Sequence, residues 1–485
     1  MSDGATVAPA TFRPAQPYAL QVVGLKSRNR SAPVPARNMH KNVRIFLGAA
    51  ALLATSPVSA LPKGDEPIAV PRSIRQGIDF VYVDPQMSSV AKRRQKPQNW
   101  LQRMLSFDQG ASRRNAPNPL FVELARGLRQ YQATWGQLPQ TKIAAGPVLK
   151  RGSTGKRVDQ LRTRLGLSPG GGYDEQLFQI VTSYQSVHGL GPVDGVAGKA
   201  TIASLNRGAD HYARRIAINV ERAYRLPKTR TFDRYVVVDS GAAVARLFDR
   251  DRVVDEMRVV VGAPKTKTPM MAVLMRSAKV NPYWNVPPEL IQSLTAKRVK
   301  EQGLSYLRDF HYEVLSDWTA NSTIVDPKTV DWKKVAAGKS GILVRQLPGP
   351  WNSMGNMKFE MPNDYGIYLH DTPHKELFAE NERWLSNGCV RLEDYRRFAT
   401  WVFGDVPQPA SSREQRFELP KPVPVYMTYL TVAPSANGVI FRRDPYGLDT
   451  LAMPQMFGGA SNIASTGSAV QGTRIVSTAS AAMAG

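Results

Sequence analysis

Residues 365–391 read YGIYLHDTPHKELFAENERWLSNGCVR, and the interpretation of the remaining chain turns on this stretch. It holds the one cysteine of the 485 residues, Cys389, in a Ser386-Asn387-Gly388-Cys389-Val390-Arg391 turn, with His370 nineteen positions upstream. Ile367, Tyr368 and Leu369 form a short apolar, β-prone run, which predicts a strand with His370 at its end. After the cysteine, Tyr395, Phe398, Ala399 and Val402 recur at helical spacing behind the acids Glu393 and Asp394. That pattern places Cys389 just before a helix N-terminus, where the dipole and a neighbouring imidazole favour thiolate, the species that attacks carbonyls. Gly388 lets the backbone turn tightly enough to aim amide hydrogens at an oxyanion. The plainer alternative for Cys389 is a small buried hydrophobe, and for His370 a satisfied core histidine. A zinc pair of His370 and His374 is disfavoured, because Pro373 breaks the helix that such a pair needs and no third ligand cluster follows.

From Met39 the chain reads MHKNVRIFLGAAALLATSPVSALP: a short basic region, eleven apolar or small residues from Ile45 to Thr55, then Val58-Ser59-Ala60. This is the pattern of a secretory signal peptide cleaved after Ala60, with Met39 as its start. The apolar run is shorter than the roughly 20 residues a bilayer span requires, and no later segment is long and apolar enough to be transmembrane. In an exported chain an unpaired cysteine points to a reactive or intermolecular role. Residues 1–60 carry seven Lys or Arg against one Asp, so the formal charge of +25 falls to about +19 beyond them. The basic residues are dispersed rather than massed, and no nucleic-acid motif accompanies them. Export directs the surplus toward anionic envelope polymers instead.

Composition divides the chain further. Residues 61–145 are helix-prone with Pro-rich breaks, and Leu120, Leu124, Leu128 and Tyr131 form a stripe. Residues 146–206 carry three helical stripes: Val158, Leu161 and Leu165, then Phe178, Val181 and Tyr184, then Thr201, Ile202 and Leu205. Strand-like runs follow at Tyr235–Asp239, Ala245–Phe248, Met257–Gly262 and Met275–Val280. A charged, helix-prone stretch with Trp318 and Trp332 occupies 285–341. After Tyr429 periodicity is lost, and 458–485 are almost entirely small residues, so 431–485 is expected to be a low-complexity, disordered tail.

Tyr368-Leu369-His370-Asp371 followed by Ser386-x-Gly388-Cys389-Val390-Arg391 resembles the signature of the L,D-transpeptidases, cysteine enzymes that cross-link peptidoglycan. Many members carry a histidine where this chain has Asn387. NPYWNVPP from Asn281 and RQLPGPWNSMGNMKF from Arg345 are similar to the same family, and LKRGSTGKRVDQLRTRLGL with HGLGPVDGVAGKAT resembles its peptidoglycan-binding module. The resemblance implies a multidomain α+β protein of the large Gram-negative type. A helical scaffold region (61–145) and a three-helix peptidoglycan-binding module (146–206) would precede a β-rich catalytic domain (207–430) with a helical cap insertion at 285–341. It implies Cys389 as nucleophile and His370 as base, the latter oriented by the Asp371 carbonyl. The amides of Gly388 and Cys389, with the Tyr368 hydroxyl, would serve the oxyanion, and Arg391, Ser386, Asn387, Trp284 and Asn352 would contact substrate. No cofactor and no metal are implied. The expected reaction joins a tetrapeptide stem through a thioester to a diaminopimelate amine, giving a 3–3 cross-link in the periplasm, or tethers an envelope protein to the wall. A carboxypeptidase that trims stems and a non-catalytic wall-binding protein are the alternatives.

Overall fold

The computed structural model describes residues 74–87, 116–319, 321–436 and 438–457. The expected signal peptide and the small-residue end of the expected tail lie outside these. Two short strands come first, β1 (Ile74–Gln76) and β2 (Phe80–Tyr82). A helix over Pro119–Ala133 follows, its N-cap Asn118 accepting from the Leu120 amide. Helices Lys156–Arg164, Glu175–Val187 and Lys199–Arg207 enclose a small core that includes Val158, Leu161, Leu177, Val181 and Leu205. The middle stripe turns on Leu177 rather than Phe178, which lies at the rim with the Arg151 guanidinium 3.6 Å from its ring centroid.

Helix Ala209–Tyr224 leads into a sheet built from β3 (Arg234–Asp239), β4 (Val244–Asp249), β5 (Arg252–Gly262) and β6 (Met270–Val280). The chain then leaves the sheet for the insert and returns as β10 (Met357–Glu360), so the insert interrupts what would otherwise be a β6–β10 hairpin. Within the insert, β7 (Trp284–Asn285), β8 (Tyr312–Leu315) and β9 (Leu343–Gln346) form their own sheet. They share a core with the insert's short helices around Ile291, Val299, Leu307, Trp332 and Val335. The purely helical expectation for 285–341 is therefore corrected.

The main sheet resumes with β10 (Met357–Glu360) and β11 (Leu369–His370), then β12 (Trp384–Ser386) beside β5, β13 (Val390–Leu392) and β14 (Gln415–Thr428). Neighbours run β6-β10-β11-β13-β5-β4-β3-β14, and β14 pairs again with β6, so the sheet closes on itself. β11 and β13 are parallel neighbours. Because side chains alternate across a strand, a closed sheet with both faces covered carries apolar residues on each. Val236, Val238, Met257, Val259, Phe359, Leu369, Val390 and Leu392 meet helix Tyr395–Phe403 in one core. Tyr235, Val237, Ala272 and Tyr426 meet helices 119–133 and 209–224 in a second.

Two departures from the sequence reading concern the ends. Residues 74–82 are not helical: β2 pairs in parallel with β6, Phe80 opposite Met270. The start of the expected tail is structured, with β15 (Val432–Ser435) paired to β16 (Gly438–Phe441) and a helix over Leu448–Phe457. It is anchored by Val432, Val439 and Phe441 in the second core, by the buried Ala452, and by buried polar contacts that hydrophobic periodicity does not register. Asp449, almost fully buried, lies 2.6 Å from Arg222 and 3.0 Å from Arg215 and also bonds the Thr431 hydroxyl. Phe441 stacks on His188 (centroids 5.3 Å), which stacks in turn on Tyr184 (3.7 Å) and bonds the Tyr131 hydroxyl at 3.0 Å. This aromatic joint links the three-helix unit to helix 119–133 and the β15–β16 hairpin. Among the described residues no helix is long and apolar enough to cross a membrane.

Arg222 is essentially buried, and two of its nitrogens already lack hydrogen-bond partners among the described residues. Asp449→Ala would strand its charge. We expect a loss of about 3–5 kcal/mol in unfolding free energy by urea titration.

Candidate functional site

The alternation of β10, β11 and β13 decides what faces the site. Met357, Phe359, Leu369, Val390 and Leu392 point into the core. Lys358, His370 and Arg391 therefore take the opposite face, and the register sets Lys358 opposite His370 and His370 opposite Arg391. Cys389 precedes Arg391 by two positions, so the same period brings its side chain to this face, diagonal to His370 across the parallel pair. Tyr368 reaches it likewise from the residue two before His370.

Cys389 does not precede a helix directly. β13 intervenes, and the next helix begins at Tyr395 with Asp394 as its cap, accepting from the Arg397 amide. The helix-dipole contribution expected for the thiol is thereby removed. Burial pushes the thiol upward, against a backbone bond from Tyr368 and the charges of Lys358 and Arg391. His370, 3% exposed, is pushed down to about 3, first by burial and then by Arg391, with Lys358 adding to the effect. The resting pair is thus neutral thiol and neutral imidazole. His370 Nδ1 lies 2.5 Å from the Asp371 carbonyl oxygen; donation there leaves Nε2 as the acceptor.

Asp371 does more than supply a carbonyl. Its carboxylate, 1% exposed, accepts from the Asn356 amide at 2.8 Å, from Asn356 Nδ2 at 2.9 Å and from Lys375 Nζ at 2.6 Å. Gly355, at φ +65°, packs against it with no room for a Cβ.

The cysteine turn is held from below. Ser386, buried, donates its hydroxyl to the Cys389 carbonyl at 2.6 Å and accepts the Gly388 amide at 3.1 Å. Thr268 donates to the Gly388 carbonyl at 2.7 Å, and Thr266 to the Ser386 carbonyl at 2.9 Å. Of the two amides considered for an oxyanion, that of Gly388 is thus occupied, whereas that of Cys389 has no partner among the described residues. Gly388, at φ +118°, adopts a backbone suited to glycine.

The remaining expected contacts divide. Asn387 is exposed, Tyr368 and Arg391 are half-buried, and the buried Nε of Arg391 has no hydrogen-bond partner among the described residues. Ser386 is committed to the turn. Asn352 is fully buried, its amide donating to the carbonyls of Pro282, Gln346 and Leu347 while its oxygen accepts from Met354. It ties a loop and has no group left for a substrate, which corrects the cleft-lining expectation. Trp284 packs on the insert's core, 6.3 Å from Tyr312 between centroids. Sequence reasoning missed Lys358, Thr268, Asn356 and Lys375; the first and third fall in NSMGNMKF, within a stretch read only as similar to the family. Among the described residues no group of three His, Cys, Asp or Glu side chains is placed to hold a metal ion.

Two measurements follow from this electrostatics and packing. Alkylation of Cys389 by iodoacetamide should have its pH midpoint above the roughly 8.5 of an ordinary thiol, with no histidine inflection between about pH 5 and 8. A rate plateau already reached at neutral pH would instead reveal a preformed thiolate–imidazolium pair. Gly355→Ala would place a Cβ against the Asp371 carboxylate and cost about 1–2 kcal/mol in backbone conformation alone. Thermal unfolding should shift down and alkylation should change with it, because Asp371 carries the histidine.

The geometry can be set beside known proteins. A family model described as the L,D-transpeptidase catalytic domain, YkuD, matches residues 233–411. A Haemophilus influenzae (strain ATCC 51907 / DSM 11121 / KW20 / Rd) protein named "Putative L,D-transpeptidase" is 29% identical over 243 residues, 48% of this chain and 48% of its own. The chain thus spans about half the length of that curated relative. Two solved structures align weakly. The L,D-transpeptidase from Mycobacterium smegmatis does so at 15% identity over 40% of this chain and 58% of its own, with a TM-score of 0.21. The L,D-transpeptidase from Xylanimonas cellulosilytica DSM 15894 does so at 16% over 59% and 99%, with a TM-score of 0.18. Neither superposition is close enough to argue from. Residues 233–411, which hold Lys358, His370, Cys389 and Arg391, are thus similar to the L,D-transpeptidase catalytic domain, YkuD.

Proposed function

We propose that this chain is a peptidoglycan L,D-transpeptidase working through a thioester on Cys389. The observation that carries the reading is the placement of Cys389 and His370 on one face of parallel neighbours, with Nδ1 tied to the Asp371 carbonyl, inside a domain of this family.

The neutral resting pair favours general-base catalysis over a standing ion pair. As Cys389 Sγ attacks the carbonyl of the L-centre of diaminopimelate in a tetrapeptide stem, His370 Nε2 takes the thiol proton. The tetrahedral oxyanion is held by the Cys389 amide, with the Tyr368 hydroxyl as second donor. Collapse breaks the peptide bond, His370 returns its proton to the leaving amine, and D-alanine departs from the thioester. A second stem then presents its diaminopimelate side-chain amine. His370 accepts a proton from that amine as it attacks, and the released thiolate recovers one from His370. The product is a 3–3 cross-link, and a stem amine is the acceptor we propose. The energy of the cleaved bond is conserved in the thioester, so no nucleotide is required.

In this reading the insert is a cap over the cleft, since it leaves and re-enters the barrel at β6 and β10, next to the row that holds Lys358 and His370. The three-helix unit is a wall-binding module, and the site works in the periplasm.

Incubation with a disaccharide-tetrapeptide donor or a carbapenem, followed by intact mass, should give an adduct on the wild type and none on Cys389→Ala. Cross-linked dimers as product would support the transferase. Free tripeptide alone would mean a hydrolase, and no adduct on folded protein would overturn the nucleophile.

A further inference from the structure

Lys358 occupies a position that the reaction described above leaves unused. It stands directly opposite His370 on β10, and Arg391 stands opposite His370 on the other side, so the imidazole lies between two cations in one row of the sheet. The Lys358 side chain is only 16% exposed. Its Nζ lies 3.8 Å from the centroid of the Tyr368 ring and 3.6 Å from Glu360 Oε1, and it makes no hydrogen bond with any described residue.

Glu360 does not satisfy it. That carboxylate also accepts from Ser277 Oγ at 3.1 Å and lies 3.8 Å from Lys279 Nζ, while Lys279 has a closer acid in Glu414 at 2.9 Å. A largely desolvated ammonium with unused donors is costly unless something completes its shell. The open direction is the face shared with His370 and Cys389, since Phe359 and Met357 fill the other.

We propose that Lys358 is a carboxylate anchor of this site, binding one carboxylate of the stem peptide whose acyl group Cys389 receives. The proposal rests on the transpeptidase reading for the identity of that anion. The stem offers two carboxylates close to the reacting carbonyl: the terminal one of D-alanine, which leaves, and the one at the far centre of diaminopimelate, which stays. Either would meet the ammonium as a charge-assisted hydrogen bond, with the Tyr368 ring fixing the lysine beneath it. Arg391, whose buried Nε has no hydrogen-bond partner among the described residues, lies on the far side of His370 and leaves the row positive overall.

The test has two arms that fail separately. In the first, Cys389 of full-length wild type, Lys358→Met and Lys358→Arg is alkylated with iodoacetate and iodoacetamide, reagents that differ by one carboxylate. The ratio of the two rates should drop severalfold in Lys358→Met and be largely kept in Lys358→Arg. In the second, acylation is followed by mass with three donors: the natural tetrapeptide, one amidated at the D-alanine terminus and one amidated at the far diaminopimelate carboxyl. Lys358→Met should raise KM for the natural donor about 10- to 100-fold and change kcat less. It should also erase the wild-type preference over one amidated donor, which identifies the carboxylate.

An unchanged haloacetate ratio, or a uniform loss across all three donors, would overturn the anchor and leave Lys358 a structural residue. If the wild type turns over no donor, the transpeptidase reading fails, while the haloacetate ratio still decides whether Lys358 receives an anion. Should Lys358→Met not fold, the unmodified protein supplies a check. N-acetyl-D-alanine should slow iodoacetamide alkylation more than its amide does, and equal protection by both would overturn the proposal.

Discussion

The two-residue period of a strand in a closed sheet is the constraint on which this structure depends. Once Phe359, Leu369, Val390 and Leu392 are committed to the core, Lys358, His370 and Arg391 must stand together on the other face. A slip of one residue in β11 would bury His370 in the core and expose Leu369. The core therefore fixes the register, and the register fixes the spacing of the chemical groups. Nothing in the site needs to be positioned by side-chain flexibility.

A second layer of constraint acts on orientation. His370 is held by a carbonyl whose own residue is clamped by Asn356 and Lys375, and the cysteine turn is held by Ser386, Thr266 and Thr268. These contacts fix the tautomer and the turn before any ligand arrives, which is what preorganisation requires. Burial keeps both reactive groups neutral at rest, so proton transfer is coupled to attack instead of preceding it.

Much of this was legible in the sequence, for identifiable reasons. Runs such as Tyr235–Asp239 are strongly β-branched, and the stripe of Tyr395, Phe398, Ala399 and Val402 keeps its period, so those elements lie where periodicity places them. The cysteine and histidine stand out by rarity and spacing. The strand between Cys389 and its helix was not visible, because Val390-Arg391-Leu392 is too short to show alternation. Asn352 was misjudged because a polar residue in a loop reads as exposed, while here its amide gathers backbone carbonyls. Asp449 and its arginines misled in the opposite sense. The strands there are only four residues long, too short for Val439 and Phe441 to show a period, and the helix after them is fastened by buried ion pairs, so the β15–β16 hairpin and that helix read as a tail.

The aromatic joint around His188 has a bearing on the order in which the molecule can be completed. Tyr131, Tyr184 and His188 lie early in the chain, and the ring that closes their cage, Phe441, is made near its end. Ribosomal synthesis proceeds from the N-terminus, so the three-helix unit emerges long before its last neighbour exists. Its own core of Val158, Leu161 and Leu177 is local and can form early. Its bonds to helices 119–133 and 209–224, Tyr131 to His188 and Ser204 to Tyr212, are also within reach early, but the cage around His188 stays open until Phe441 arrives. A polypeptide released short of Phe441 would carry an intact nucleophile on a body whose His188 cage lacked one wall.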